Sequence, residues 1–275
     1  MTLSVVIITH NEEANIGRTL LSVQPLVSDG KGEIIVVDSG STDGTVEIAE
    51  LFGARVFVEK WKGYAAQKNS AIEKATGDWI LSLDADEEVD EDLRGALRHY
   101  ILGDSTTTVK DGVPNYQTSW FATTITGLLI HRKNYFLGRW IKHGGFWPDP
   151  KLRLFRRGAG RFEDRAVHET LQVPGGGRQF PRGALIHRSY PTLSDYLDHM
   201  NRYSSLGAEM VNAKGPVRFS AFNIVVRPAA TFIYNYFFRL GFLDGREGLL
   251  LHLYHAAYVS WKYAKAWELR NNRSV

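Results

Sequence analysis

The stretch LSVVIITHNEE, residues 3–13, decides the fold class, because it joins a continuous apolar run to polar residues that end it. An apolar run of this length, Leu3–Thr9, is typical of a strand buried on both faces of a sheet. The residues that follow, Glu12–Val27, carry apolar side chains at Ile16, Leu20 and Val23, a helical spacing. A buried strand followed by an amphipathic helix predicts the first half of a βαβ unit.

The same alternation continues outward from this unit and predicts an α/β domain with a parallel sheet. The further predicted strands are Glu33–Asp38, Arg55–Val58 and Trp79–Leu83, and the further predicted helices are Val46–Phe52, Tyr64–Ala75 and Asp90–Leu102. Between Gly103 and Gly183 the periodicity weakens, which indicates short strands and functional loops. Three helices are expected after His187, at Leu193–Met210, Phe219–Leu240 and Leu249–Leu269.

Composition narrows the class of protein. The 275 residues are 44% hydrophobic and 23% charged, enough for a packed core and unlike disordered, collagenous or mucin-like chains. A net charge of +3 is too small to indicate nucleic-acid binding. The chain has 0 cysteines, which excludes disulfides, thiolate nucleophiles and Cys-ligated metal sites and is typical of a reducing compartment.

Two features of the sequence predict a cytoplasmic protein that does not cross a membrane. The N-terminus enters the first strand directly, without the basic region and cleavage site of a signal peptide. The longest apolar candidate, Phe219–Phe238, is interrupted by Arg227 and Pro228.

Polar motifs follow three of the predicted strands: THNEE at residues 9–13, DSGSTD at 38–43 and DAD at 84–86. Ligands of open α/β sheets bind at the carboxyl ends of the strands, so the three motifs are expected to face one crevice. Taken singly, each also has an ordinary structural interpretation: a helix cap, a turn with a capping box, and a solvated acidic loop.

The Asp84-Ala85-Asp86 step indicates the ligand class. Two carboxylates at the end of a buried strand suit Mg²⁺ or Mn²⁺, and such ions usually keep coordination positions for phosphate oxygens. The chain lacks the glycine-rich signatures of P-loop nucleotidases and of Rossmann dehydrogenases. The ligand class that remains is therefore a diphosphate-bearing molecule held through a metal ion.

These motifs resemble those of family 2 inverting glycosyltransferases, which have the GT-A fold, and most closely the lipopolysaccharide inner-core glucosyltransferase subgroup. The resemblance implies a GT-A (nucleotide-diphospho-sugar transferase) Rossmann-like sheet with a helical C-terminal extension. Besides the three motifs above, it rests on AQKN at 66–69, GRW at 138–140, GGFWPD at 144–149, RLFRR at 153–157, VHE at 167–169, GFLDG at 241–245 and KYAKAWE at 262–268.

The resemblance also implies roles for individual residues. Thr9, Asn11, Glu12 and Asp38 would line the nucleotide pocket, Lys68 would approach the nucleotide-sugar, and Asp84 would contact ribose or metal. Asp86 would bind a Mg²⁺ or Mn²⁺ ion on the diphosphate, with His187 as a late metal ligand; a lone histidine is as often structural. Many members have two consecutive acids where this chain has Asp38-Ser39, so one contact to the base would be lost.

An inverting transferase needs a carboxylate base near the acceptor hydroxyl, and Asp84 and Asp86 are committed to nucleotide and metal. The acid cluster of the central region runs from Glu163 to Glu169. Glu169, in the VHE motif that matches the subgroup, is the expected catalytic base. Asp164 is the second candidate, although Arg161 and Arg165 beside it would lower its basicity.

The acceptor is expected to be an anionic saccharide or glycolipid. Residues 132–165 contain ten basic and three acidic side chains, a local excess of seven. A solvated edge that keeps the protein soluble is the alternative explanation of this charge. Trp140, Phe146 and Trp147 lie beside these charges in the sequence and suit either stacking on sugar rings or ordinary core packing.

The resemblance thus implies a metal-dependent hexosyltransferase that moves a hexose, expected to be glucose, from a UDP-sugar onto a lipopolysaccharide-core or similar anionic saccharide acceptor. Residues 1–190 would form the catalytic domain, with a nucleotide-sugar half to about 102, an acceptor half from about 103, and a helical extension over 191–275. A polyprenyl phosphate or protein acceptor, and a non-catalytic sugar-nucleotide-binding protein, remain alternatives. The aromatic and basic residues of the extension suit either peripheral contact with a membrane or packing against protein.

Overall fold

The computed structural model describes residues 1–104, 125–163, 170–215 and 218–271. The strands, in chain order, are Leu3–Thr9 (β1), Gly32–Asp38 (β2), Arg55–Val58 (β3), Trp79–Asp84 (β4), Glu87–Val89 (β5), Gly127–Phe136 (β6), Arg139–Trp140 (β7), Pro150–Arg156 (β8), Arg161–Glu163 (β9), Thr170–Gln172 (β10) and Arg178–Tyr190 (β11). The α-helices are Glu13–Val27 (α1), Thr45–Leu51 (α2), Tyr64–Glu73 (α3), Glu91–Tyr100 (α4), Leu193–Ala213 (α5), Arg227–Ile233 (α6) and Gly245–Asn271 (α7).

Strand β1 lies inside the sheet that the sequence predicts. It pairs in parallel with β2 on one side and β4 on the other, and β2 pairs in parallel with β3. Within the described residues the strand order is β3-β2-β1-β4-β8-β6-β11-β5, and β8 joins the parallel part through an antiparallel pairing with β4. The α/β prediction is therefore confirmed, with an antiparallel half added to the parallel one.

Alternation along β1 builds a core on both faces of the sheet. Leu3, Val5 and Ile7 are fully buried in one cluster with apolar residues of α1 and α4, whereas Val6 joins a second cluster with residues of α3. This two-sided burial explains why the strand reads as an unbroken apolar run.

Four elements differ from the sequence expectation. The acidic residues after Asp86 form β5 instead of a loop, because Glu87 pairs with His187 of β11 in an antiparallel ladder. The middle of the chain holds strands of ten and thirteen residues, β6 and β11, where short strands were expected. The predicted helix Phe219–Leu240 consists of α6 between two five-residue π-helical turns, Phe222–Val226 and Tyr234–Phe238.

The described residues divide into two units. The first comprises residues 1–132 and 149–187, and the second comprises 133–148 and 188–275. The hairpin between β6 and β8 thus clusters with the C-terminal helices.

The second unit has its own core. Phe136, Ile141, Tyr196 and Leu251 are buried together. Helix α5 begins with a capping box between Thr192 and Asp195 and is held to α7 by polar contacts, including a 2.8 Å hydrogen bond from Asn212 to the carbonyl of Ala266. No helix among the described residues is long and apolar enough to cross a bilayer.

Candidate active site

The loops that follow β1 and β2 are tied together by hydrogen bonds at the carboxyl edge of the sheet. Asn11, at a φ of 53°, donates its backbone N–H to Ser41 Oγ at 2.8 Å, and its side-chain oxygen accepts from the Thr42 N–H at 2.8 Å. The Glu12 N–H donates to Thr45 Oγ1 at 2.8 Å. The two motifs that the sequence singled out therefore form one surface.

Asp38, expected in the nucleotide pocket, organises the second of these loops from a fully buried position. Its Oδ1 accepts the backbone N–H groups of Gly40 and Ser41, each at 2.8 Å, and its Oδ2 accepts the Ser41 hydroxyl. Both carboxylate oxygens are thus used within the loop.

Asp84, at the end of β4, is bound by two cations. Lys68 Nζ lies 2.8 Å from Oδ1, and Arg153 Nη2 lies 2.5 Å from Oδ2. Burial alone would raise the pKa of Asp84, but Arg153 and Lys68 outweigh it and hold this pKa well below its usual value. Asp84 is therefore ionised and fixed in position before any ligand arrives.

Arg153 also binds Glu87, a residue to which sequence reasoning gave no role. The two side chains meet at 2.7 Å, and Glu87 is fully buried. Glu87 Oε1 lies 3.3 Å from Arg132, which in turn contacts Asp149 at 3.0 Å. An arginine alternating with leucines in a buried strand was the available signal, since a buried charge requires a partner.

Asp86 faces His187, the predicted late histidine. Asp86 Oδ2 and His187 Nε2 are 3.1 Å apart, and both side chains are partly exposed. An oxygen and a nitrogen donor at this spacing are compatible with two ligands of a Mg²⁺ or Mn²⁺ ion. Within the described residues, no group of three or more His, Cys, Asp or Glu side chains is arranged to hold a metal.

Glu12 shares this acidic environment. Burial raises its pKa, a hydrogen bond from Asn15 lowers it, and the nearby charges of Asp86, Asp43 and Asp84 raise it further. The edge therefore concentrates negative charge around Asp86, and a cation bound there would relieve the repulsion.

Several buried polar atoms near these loops have no hydrogen-bond partner within the described part of the chain. They are Thr9 Oγ1, Ser39 Oγ and both polar atoms of the Gln67 side chain. Gln67 is fully buried on α3, directly before Lys68. Since an unsatisfied buried polar group costs about 1–3 kcal/mol, a polar ligand that reached these atoms would gain affinity from them.

Helix α3 also holds the strand that leads into the candidate catalytic bases. Asn69 donates to the carbonyl of Phe162 and accepts from its N–H, both at 2.9 Å, and Lys68 Nζ lies 5.2 Å from the Phe162 ring centroid. Phe162 is in β9, whose Glu163 pairs with Thr170 of β10. Asp164 and Glu169 themselves lie outside the described residues.

Several basic side chains of residues 132–165 contact acidic or aromatic residues, so this region offers less positive charge to a ligand than its charge count predicts. In the first unit, Arg132 and Arg153 bind the acids named above, Lys151 contacts Asp149 at 2.9 Å, and Arg156 lies over the Trp79 ring. In the second unit, Lys133 and Lys142 lie 5.2 and 4.5 Å from the ring centroid of Trp140. Trp147 meets Trp140 edge to face at 5.2 Å.

Known proteins match this chain over most of its length. Residues 4–161 match the family model described as Glycosyl transferase family 2. The lipopolysaccharide core biosynthesis glycosyltransferase LpsC of Rhizobium meliloti (strain 1021) is 28% identical over 98% of this chain and 93% of its own length. An uncharacterized glycosyltransferase of Rickettsia felis is 31% identical over 90% of this chain and 83% of its own length.

A solved structure shares the fold. The mannosyltransferase PcManGT of Pyrobaculum calidifontis, in complex with GDP-Man and Mn²⁺, superposes with a TM-score of 0.52 at 15% identity. The match covers 97% of this chain and 87% of that one. At this identity the likeness concerns the fold alone, and it agrees with the GT-A architecture expected from the sequence.

Proposed function

The chain belongs to glycosyl transferase family 2, and we propose that it moves glucose from UDP-glucose onto an anionic saccharide of the lipopolysaccharide-core type, with inversion at the anomeric carbon. The acceptor class is supported by the relationship to a lipopolysaccharide core biosynthesis glycosyltransferase over nearly the whole chain. UDP and glucose are proposed because the sequence motifs resemble those of the inner-core glucosyltransferase subgroup.

The observation that carries the proposal is the arrangement around Asp84 and Asp86. Asp84 is locked by Lys68 and Arg153, whereas Asp86, two residues later, pairs within the described residues with His187 alone. Asp84 thus serves to position the strand end and Lys68, and Asp86 is the carboxylate available to a ligand. The unpartnered atoms of Thr9, Ser39 and Gln67 support a polar nucleotide at the same edge.

Asp86 and His187 would hold a Mg²⁺ or Mn²⁺ ion. Such an ion, when bound, neutralises the charge that develops on the departing diphosphate. The negative surroundings of Glu12 and Asp86 support a cation there.

Glu169 would act as the general base, with Asp164 as the second candidate. The base takes the proton of the acceptor hydroxyl as that oxygen attacks the anomeric carbon and the bond to the diphosphate breaks. This proposal is supported by β9, the strand that precedes both acids in the chain, because β9 is hydrogen-bonded to α3 next to Lys68.

Within the second unit, the hairpin of residues 133–148 would bind an anionic saccharide. Trp140 and the two lysines that contact its ring, Lys133 and Lys142, combine an aromatic surface with positive charge. Stacking with ion pairing is the combination that an anionic sugar needs.

The test is a donor and acceptor screen on the full chain. UDP-, GDP- and dTDP-sugars are each supplied with a lipopolysaccharide-core oligosaccharide or a polyprenyl phosphate, with Mg²⁺ or Mn²⁺, and nucleotide release is measured. We expect release from UDP-glucose with the core oligosaccharide. Turnover with GDP-sugars alone would overturn the donor, and turnover with polyprenyl phosphate alone would overturn the acceptor.

Matched variants test the site itself. Asp86→Asn should lower kcat by about 100-fold or more, because a metal ligand for the leaving group is lost. Asp29→Asn is the control, since Asp29 lies between α1 and β2, at the opposite edge of the sheet, and asparagine tolerates its φ of 58°. Full activity of Asp86→Asn would refute the metal assignment. Glu169→Gln should lower kcat by about 10²- to 10⁴-fold, and loss only in Asp164→Asn would move the base.

A further inference from the structure

The segment from Arg218 to Leu243 presents apolar side chains to solvent. Phe219, Phe222 and Phe238 are 61%, 57% and 75% exposed. The other large apolar residues exposed on this segment are Val225, Val226, Ile233, Tyr234, Phe237, Leu240, Phe242 and Leu243. Single exposed apolar residues are ordinary, but so many within one segment indicate a surface that binds something apolar.

The serine, threonine and asparagine residues of the same segment lie at less exposed positions. Ser220, Asn223, Thr231 and Asn235 are all half-buried. The inner side is held to α7 by polar contacts: Ser260 donates to the carbonyl of Ile224 at 2.9 Å, and Arg227 donates to the Tyr263 hydroxyl. An arrangement with apolar residues outside and polar residues inside is the reverse of a water-facing helix.

The charge of the segment identifies the partner. Residues 218–243 contain three arginines, Arg218, Arg227 and Arg239, and no acidic residue. All three arginines are exposed. In a symmetric dimer built on this face, each copy would meet the same positive, acid-free surface, which is unfavourable. A membrane with anionic headgroups supplies both the apolar medium and the negative charge.

We propose that residues 218–243 form a membrane-docking segment that lies in the interface of an anionic bilayer. Its phenylalanines enter the boundary between headgroups and acyl chains, and Arg218 and Arg239 contact the lipid phosphates. The two π-helical turns that flank α6 fit this role, because such turns are rare and are frequently found at functional sites. The segment would hold the enzyme at the surface on which a glycolipid acceptor is presented.

The test is co-sedimentation of the full chain with vesicles of phosphatidylcholine, with and without phosphatidylglycerol. We expect binding that requires phosphatidylglycerol and weakens with salt. Phe222→Glu and Phe238→Glu should each lower the partition coefficient by about tenfold or more, because each removes a phenyl ring that lipid would bury. Leu51→Glu on α2 is the matched control, since Leu51 is 85% exposed in the other unit.

A second measurement needs no variant. Hydrogen exchange of the unmodified chain should show slower exchange within residues 218–243 when anionic vesicles are added. Absence of vesicle binding at low salt, or equal loss of binding in Leu51→Glu, would overturn the proposal. A dimer that Phe238→Glu dissociates, without vesicle binding, would assign the face to self-association. Neither readout uses donor or acceptor, so the membrane-docking proposal is tested independently of the glycosyl-transfer proposal.

Discussion

Arg153 is the residue of the site whose replacement should lower the stability of the fold most. The substitution Arg153→Met keeps the length of the side chain and removes its charge. Arg153 is 6% exposed, and it donates to both Asp84 and the fully buried Glu87. In the variant, each carboxylate would keep one cation, Lys68 for Asp84 and Arg132 for Glu87.

The size of the expected loss of stability follows from the contacts that the two carboxylates keep in the variant. Breaking a buried ion pair from one side typically costs about 3–5 kcal/mol, because a charge is left buried without its partner. The remaining contact between Arg132 and Glu87 is longer, 3.3 Å against 2.7 Å, but it places the loss at the lower end of this range. A loss of about 3 kcal/mol corresponds to a fall in Tm of about 6–12 °C for a domain of this size.

Urea unfolding and a thermal melt at pH 7 measure this loss. The double variant Arg153→Met with Glu87→Gln should recover part of it, because the uncompensated charge is removed with the arginine. The exposed pair of Arg161 and Glu73, 3.7 Å apart, provides the control: Arg161→Met should change stability by less than about 1 kcal/mol. If Arg153→Met unfolds within about 1 kcal/mol of the unmodified chain, or the double variant is less stable than the single one, the network does not hold the strand ends together.

Two further predictions concern packing and pH. Gly144→Ala should destabilise the chain by about 2–4 kcal/mol in urea unfolding, because its φ is +67° and a Cβ would lie 2.0 Å from the His252 ring. Gly138→Ala is the control and should cost only about 1 kcal/mol, because its φ is +80° but nothing lies within 4 Å of the added carbon. Equal losses in the two variants would contradict the steric explanation. Hydrogen bonds from Lys62, Lys74 and Ser70 lower the pKa of Glu59 to about 2, and such a carboxyl stabilises the fold only while it is ionised. The stability gap between Glu59→Gln and the unmodified chain should therefore be full at pH 7 and close as the pH falls from about 4.5 towards 2; a gap independent of pH would exclude this origin.

The parallel half of the fold could be predicted because its signals are local. The strand and helix patterns from Leu3 to about Leu102 depend on spacing within each element. The helix ends in the structure differ from the predicted ends by no more than two residues. The polar motifs after β1, β2 and β4 could be assigned to one edge because parallel strands share their carboxyl ends.

The ion-pair network could not be predicted, because it depends on which distant strands become neighbours. Arg153 reaches Asp84 only because β8 pairs with β4, and Glu87 becomes buried only because β5 pairs with β11. For the same reason the charge count of residues 132–165 overstated the basic surface, since Arg132, Lys151 and Arg153 are occupied by acids. The apolar outer face of residues 218–243 was also hidden, because helical periodicity does not say which side packs inward.

The paired hydrogen bonds between Asn69 and Phe162 have a consequence for engineering. Adjacent residues of one helix contact two different strands, since Lys68 binds the carboxylate at the end of β4 and Asn69 is hydrogen-bonded to Phe162 of β9. A chimaera that imports β9 and β10 from a relative would have to bring a compatible partner for position 69, or β9 would lose both hydrogen bonds to α3. Exchange of these strands between family members therefore requires α3 to be transplanted with them.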